Sequence, residues 1–415
     1  MLDSSLRFFL RQLIIFCCFL CIAIPSEAQH IGFYLERERN HVTLPIEVYN
    51  NLIVVSALVN EKYPLNFILD TGVRPSIFFN KKFVDTLGMD YQRSVQLFGV
   101  GNDDPIEALV AKPVSISLPG IKSTEISALV LYQDILQLER YLGIRIHGII
   151  GYDLFSRFVV KINYAKKRIK LYEPTAFRPR KKDFPIPIEI IDGKPITSIF
   201  IQLSAADSIH AKLLVDTGAS HALVLHQNSS SGFELPDKCI ETNLGRGLAG
   251  EINGCLGRID GINFGKSRLT GVITSFPRKP IATMEGRSLR NGSIGGELLK
   301  KFTVIFDFIH ARMYVKPNAA FKHPFEYNMS GLEFTAEGIR LNRFVINEIR
   351  INSAASKAGF KPGDVMVSLN NIPSKKLDLT KIYTDLNLKE GKKITMTVYR
   401  DGKYISRSFR LKREI

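Results

Sequence analysis

At 415 residues, 45% apolar and 23% charged, the chain has the length for two to three domains and the composition of an ordinary folded protein, which excludes a disordered or fibrous class. Its formal charge of +16 comes from basic residues that are scattered, apart from short runs such as Lys166-Lys167-Arg168 and 178–182. The charge therefore reads as solvated surface, and no nucleic-acid partner is expected.

The N-terminus reads as a targeting segment. Arg7 and Arg11 precede an apolar run from Leu13 to Ile24, followed by Pro25 and the small-x-small pattern Ser26-Glu27-Ala28. This is the pattern of a secretory signal peptide over 1–28, too short to anchor comfortably. An uncleaved anchor is the other reading. Export to a periplasmic, secreted or surface-associated location is expected, with no later membrane span. Three of the five cysteines leave with the signal.

Two similar segments follow, expected as domains at 29–174 and 186–317. "LPIEVYNNLIVVSALVN" from Leu44 resembles "IPIEIIDGKPITSIFIQL" from Ile186, and both alternate as strands do. Next come "FILDTG" and "LLVDTG", then "IIGYDLF" and "SIGGELL". Asp216 follows Asp70 by 146 residues, and Gly295 follows Gly151 by 144. A duplicated lobe explains this near-constant offset. Each lobe closes with a hairpin; in the first, Val159 and Ile162 lead to a turn at 164–167, then Ile169 and Leu171 alternate with basic residues. The join at 173–185 and a second at 316–328 read as linkers.

One Asp-Thr-Gly is weak evidence, but two at matched places suggest chemistry. Lobes packed about a pseudo-two-fold axis would bring Asp70 and Asp216 face to face. Gly72 and Gly218 would allow tight turns and close approach, and Thr71 and Thr217 could each bond a backbone group to fix the loops. Two carboxyls about 3 Å apart cannot both ionise cheaply and share one proton. A water between them could lose a proton to the charged member and attack a carbonyl.

The paired hydrophobic-Asp-Thr-Gly and hydrophobic-Gly-x-Asp/Glu-Leu motifs resemble those of aspartic peptidases of the retropepsin and pepsin type, over roughly residues 45–315. The resemblance implies a mainly β, bilobal fold, a peptide or protein substrate, hydrolysis by an Asp70/Asp216 dyad, and neither cofactor nor metal. Ala219 matches the small residue usual after the motif. Val73-Arg74-Pro75 departs from that pattern, and Arg74 either binds a substrate acid or faces solvent. Neither Val73 nor Ala219 offers a hydroxyl, so the dyad is expected to be less acidic than one with serine there, with activity extending toward neutral pH. Flaps are implied at 97–105, with Gly99 and Gly101, and at 244–254, with Gly247. Cys239 and Cys255 are placed evenly about Gly247; they either staple that hairpin or remain two free thiols.

The tail, 329–415, has another grammar. Leu379, Ile382, Tyr383 and Leu386 fall at helical spacing, and Asp401-Gly402 signals a hairpin. "GLEF" and "AGFKPGDVMVSLNN" resemble an α+β PDZ domain. By that resemblance Gly331 opens a loop in which the N–H groups of Leu332, Glu333 and Phe334 hold the carboxylate of a C-terminal peptide ligand, added as a strand beside the helix. Glu333 places a negative charge at that site. A closed groove is the other reading. No metal-ligand spacing and no phosphate-binding loop followed by Lys is found, and the Ser220-His221 pair is not evidence for a triad. An exported aspartic endopeptidase with a PDZ-like module leads. A catalytically silent peptide-binding scaffold is the alternative, and lobes paired between chains are a third possibility.

Overall fold

The computed structural model describes residues 32–36, 39–97, 105–124, 126–229, 235–247, 250–279 and 290–415. It is mainly β, and the repeat seen in the sequence is a repeat of topology. The first lobe's sheet runs, edge to edge, Glu47–Tyr49, Leu52–Val59, Tyr63–Leu69, Gly148–Ile150, Ser76–Phe78, Ile126–Leu131, Ile106–Val114 and Tyr91–Leu97. The second runs Glu189–Ile191, Lys194–Gln202, Ser208–Val215, Gly292–Ile294, Leu223–Leu225, Ser267–Pro277, Gly250–Phe264 and Cys239–Gly247. Position by position, the two orders correspond. Both insert a short strand parallel to the one that leads into Asp-Thr-Gly: Ile150 pairs with Leu69, and Ile294 with Val215.

A six-stranded sheet joins the lobes. Its order is Phe184–Pro187, Arg312–Pro317, Phe302–Asp307, Val159–Asn163, Arg168–Tyr172 and His41–Pro45. The two central strands come from different lobes and pair antiparallel, Val160 with Phe306 and Ile162 with Val304. Alternation explains the faces: in His41–Pro45, Val42 and Leu44 are buried while His41 and Thr43 are exposed. Phe155 of the first lobe meets Phe306 edge-on at 5.7 Å and stacks on Phe308 at 5.7 Å. Each buried phenyl ring contributes about 1.5–3 kcal/mol by leaving water.

The expected hairpin of the first lobe forms as Val159–Asn163 with Arg168–Tyr172. The second join is not a free linker. Phe325 and Tyr327 are buried, and Lys301 inserts its ammonium against the His323 carbonyl. In the first join, Phe177 is buried among Tyr172 and Tyr314, and most of its basic residues are exposed.

The C-terminal sheet runs Leu332–Glu337, Arg343–Ile349, Val365–Leu369, Lys393–Arg400 and Lys403–Arg410, with Ile372–Pro373 on the third strand. Asp401 and Gly402 both take positive φ in the closing hairpin, as a two-residue turn of this hand requires. The helix Leu379–Leu386 is capped by Asp378, whose carboxylate accepts the Lys381 N–H at 2.7 Å. Lobes and tail pack into one unit, Gly32–Ile415. No helix among the described residues is long and apolar enough to cross a membrane.

Candidate functional site

Each acid stands at the end of a strand and is fixed by its parallel neighbour. Asp70 donates its N–H to the Ile150 carbonyl at 3.0 Å, and Asp216 donates to that of Ile294 at 2.8 Å. The threonines then cross between lobes. Thr71 Oγ1 donates to the Val215 carbonyl at 2.6 Å and accepts the Thr217 N–H at 3.0 Å. Thr217 Oγ1 donates to the Leu69 carbonyl at 2.9 Å and accepts the Thr71 N–H at 3.1 Å. Both side chains are fully buried, so four hydrogen bonds satisfy otherwise costly polar groups across the axis.

This brings Asp70 and Asp216 together. Gly72 N–H donates to Asp70 Oδ1 at 2.6 Å, and Gly218 N–H to Asp216 Oδ1 at 2.9 Å. A Cβ on Gly72 would stand 3.1 Å from Asp216 Oδ2 and 3.1 Å from Asp70 Oδ1. A Cβ on Gly218 would overlap the Asp70 carboxyl. The approach of the opposite lobe therefore requires glycine at 218 and leaves a tight fit at 72. The later motif glycines are held to the same residue by backbone crowding. A side chain at Gly151 would strike the Val73 carbonyl, and one at Gly295 the His221 carbonyl.

Burial pushes the Asp70 carboxyl well above the usual carboxylate range, and the neighbouring Asp216 charge adds to it; the Gly72 N–H and, more weakly, Lys194 oppose. Lys194 is a member of the site that the motifs do not indicate. Continuing the register of Ile196 with Leu214 places it across the sheet from Asp216. Burial and Arg290 lower its pKa, while Asp216, Asp70 and Asp192 support its charge. Burial likewise lowers Arg290, which Asp216 favours. His221, lowered by burial, bonds Ser293 Oγ at 3.0 Å. A signal for Lys194 exists: the repeat aligns it with Leu52, so a charge stands where the other lobe is apolar. His147 is a packed residue whose Nδ1 accepts the Asn66 N–H at 3.1 Å.

Arg74 is used between lobes. Its guanidinium lies 5.1 Å from the centre of the Tyr152 ring, and its side chain packs on Gly193 of the second lobe. Cys239 and Cys255 form a disulfide with a Cα–Cα distance of 5.7 Å. They are diagonal rather than facing: Cys239 pairs with Gly257, and Cys255 with Glu241. Gly247 pairs with Gly250 near the end of that hairpin. Gly99 and Gly101 lie outside the described residues, although Tyr91–Leu97 and Ile106–Val114 form the hairpin that leads to them. No group of three or more His, Cys, Asp or Glu among the described residues could hold a metal ion.

The carboxylate loop of the tail differs from the expectation. Gly331 takes φ +79° at its start. Leu332 N–H donates to Ser330 Oγ at 3.1 Å, and Phe334 N–H to the Tyr383 hydroxyl at 2.9 Å. Two of the three donors assigned to a peptide are thus engaged within the chain. The Tyr383 hydroxyl also donates to Glu333 Oε2 at 2.9 Å. Helical spacing marks this tyrosine as core, and nothing local announces its bond to the loop.

Comparison with known proteins agrees with the first Asp-Thr-Gly lobe and with the tail. Residues 55–154 match the aspartyl protease family, and residues 327–410 match the PDZ domain. No curated protein matches the chain. Among solved structures, basic 7S globulin from soybean is similar at 12% identity, covering 69% of this chain and 97% of that one, with a TM-score of 0.38.

Proposed function

We propose that this chain, which carries an aspartyl protease domain and a PDZ domain, is an exported aspartic endopeptidase whose dyad is Asp70 and Asp216. The observation that carries the reading is the reciprocal threonine bonding, which holds two carboxyls over two glycines in a single chain. The pair shares one proton. Its charged member takes a proton from a water, which attacks the peptide carbonyl, while the protonated member donates to the carbonyl oxygen; as the C–N bond breaks, the proton taken from the water passes to the leaving nitrogen and the intermediate's hydroxyl returns its proton to the other member. Gly72 and Gly218 N–H groups hold one oxygen of each carboxyl, so the carboxyls keep their orientation through the cycle. The paired strands Tyr91–Leu97 with Ile106–Val114, and Cys239–Gly247 with Gly250–Phe264, would cover the substrate. The arginine-flanked apolar N-terminus supports export.

The test is digestion of an unfolded protein substrate by wild type, Asp70→Asn and Asp216→Asn. Each substitution should lower the rate by about 10³-fold while leaving the fold intact. An inert wild type favours the silent scaffold, the reading suggested by Val73-Arg74-Pro75. N-terminal sequencing of exported protein should begin at Gln29; a start at Met1 would count against signal cleavage.

A further inference from the structure

In the C-terminal domain a peptide groove would lie between the edge strand Leu332–Glu337 and the helix Leu379–Leu386. Another part of the chain is already there. The short first-lobe helix Leu138–Leu142 packs on both walls. It stops at Gly143, which has φ +72° and donates its N–H to the Glu139 carbonyl at 2.9 Å. A Cβ at Gly143 would stand 3.5 Å from Leu379 Cγ on one wall and 3.8 Å from Ala336 Cβ on the other. Arg140 pairs with Glu337 at 3.1 Å, and Arg145 donates to the Ile339 carbonyl at 3.4 Å. At the opposite end, Tyr383, Glu333 and Ser330 occupy the loop where a terminal carboxylate would sit.

We propose that the ligand of this groove is the chain's own segment 138–145, seated as a helix and its basic exit, and that a C-terminal peptide binds only by displacing it. Three observations favour this occupant. Two of the three backbone donors a free carboxylate needs are bonded internally, and Glu333 adds like charge beside them. The walls accept a glycine, which lets the segment pass close between strand and helix. The flanking arginines meet an acidic side chain and a backbone carbonyl. The segment continues through His147 into Gly148–Ile150, the strand whose last carbonyl holds Asp70. Displacement would therefore loosen the support of one acid; only this last consequence rests on the peptidase reading.

The separation of 3.8 Å is typical of the Cβ atoms in a disulfide. The full chain carrying Gly143→Cys and Ala336→Cys should close this new bridge under mild oxidation, read by peptide mapping, with Cys239–Cys255 retained. The probe is a fluorescent peptide ending in a free valine carboxylate. The locked chain should bind it at least ten-fold more weakly than the same chain with the new bridge reduced. Two free thiols in a folded chain would overturn the proposal, as would equal binding, or no binding, in the two states. Because a side chain at Gly143 is strained, Arg140→Glu supplies an independent reading. It should tighten probe binding about two- to five-fold, and adding Glu337→Arg should restore the wild-type value. Unchanged affinity in Arg140→Glu would count against the proposal. Neither readout depends on cleavage, so failure here and failure of the peptidase reading are separate results.

Discussion

The two lobes share a strand order but not their side chains. Continuing the register of Val54 with Ile68 puts Leu52 across from Asp70, whereas the same step in the second lobe puts Lys194 across from Asp216. In the first lobe Tyr152 projects toward the turn at Gly193; in the second, Gly296 leaves room for the turn at Asn51. Asn51 uses that room to donate to the Ser220 carbonyl at 2.8 Å and to accept from Lys300 Nζ at 2.8 Å. Bulk on one side of the axis is met by its absence on the other. Hydrogen bonding makes a similar exchange: His147 caps the Asn66 N–H, and Asn291 caps that of Lys212 at 2.7 Å. The symmetry thus belongs to the backbone and the Asp-Thr-Gly loops, and the side chains around it divide unequal work.

The glycines offer the largest test of that division. Gly218→Ala should lower activity about 10²-fold or more, since its methyl overlaps the opposite carboxyl, and a displacement near 1 Å costs that much. Gly72→Ala, with contacts of 3.1 Å, should cost about ten-fold. Equal losses would show that the lobes are equivalent here.

The threonines should instead behave alike. Thr71→Val and Thr217→Val each break buried cross-lobe bonds and should lower stability by about 1–3 kcal/mol in urea unfolding. Serine at either place should recover most of the loss. A large difference between the two would break the symmetry where it looks strongest.

A smaller effect concerns Asp70 and pH. The folded-state pKa of Asp70 is raised, mainly by burial. A raised carboxylate stabilises fully below its unfolded value, and that stability is lost as pH rises through the folded value. Asp70→Asn should therefore be more stable than wild type at neutral pH in urea unfolding, and the gap should close below about pH 4. A gap that persists in acid would contradict this origin.

The smallest effect concerns Lys194. Lys194→Leu makes the second lobe resemble the first and removes a cation that lowers the Asp70 pKa. The alkaline limb of the pH–rate profile, set by loss of the proton Asp70 holds, should move up. An unmoved limb would reduce Lys194 to a packing residue.

Much of this arrangement is legible in the sequence because it is local or repeated. The paired Asp-Thr-Gly loops, the closing hairpin of the first lobe, and the Leu379–Leu386 helix all carry short-range signals. The partners of Thr71 and Thr217 are readable in kind, as backbone groups, but not by name. What escapes depends on contacts between distant segments. The pairing of Val159–Asn163 with Phe302–Asp307 has no sequence signature of its own. Leu138–Leu142 has only five residues, too few to display a period, and it acquires its role from the domain packed against it. Arg74 reads as either a substrate ligand or a solvent-facing residue; it is exposed, and its contacts with Tyr152 and Gly193 escape because both are remote in the chain. Phe325 and Tyr327 sit in a stretch whose Pro and Lys suggest a solvated connection, yet their rings are buried.

The central ladder joining Val159–Asn163 to Phe302–Asp307 has a consequence for concentration. Halves that meet only as separate molecules lose their shared centre on dilution. Here the meeting is intramolecular, and a rung-by-rung backbone seam continues it beneath the covalent tether. A nick in the exposed stretch around Arg180 should leave the halves clasped, and specific activity should stay level from micromolar to nanomolar protein.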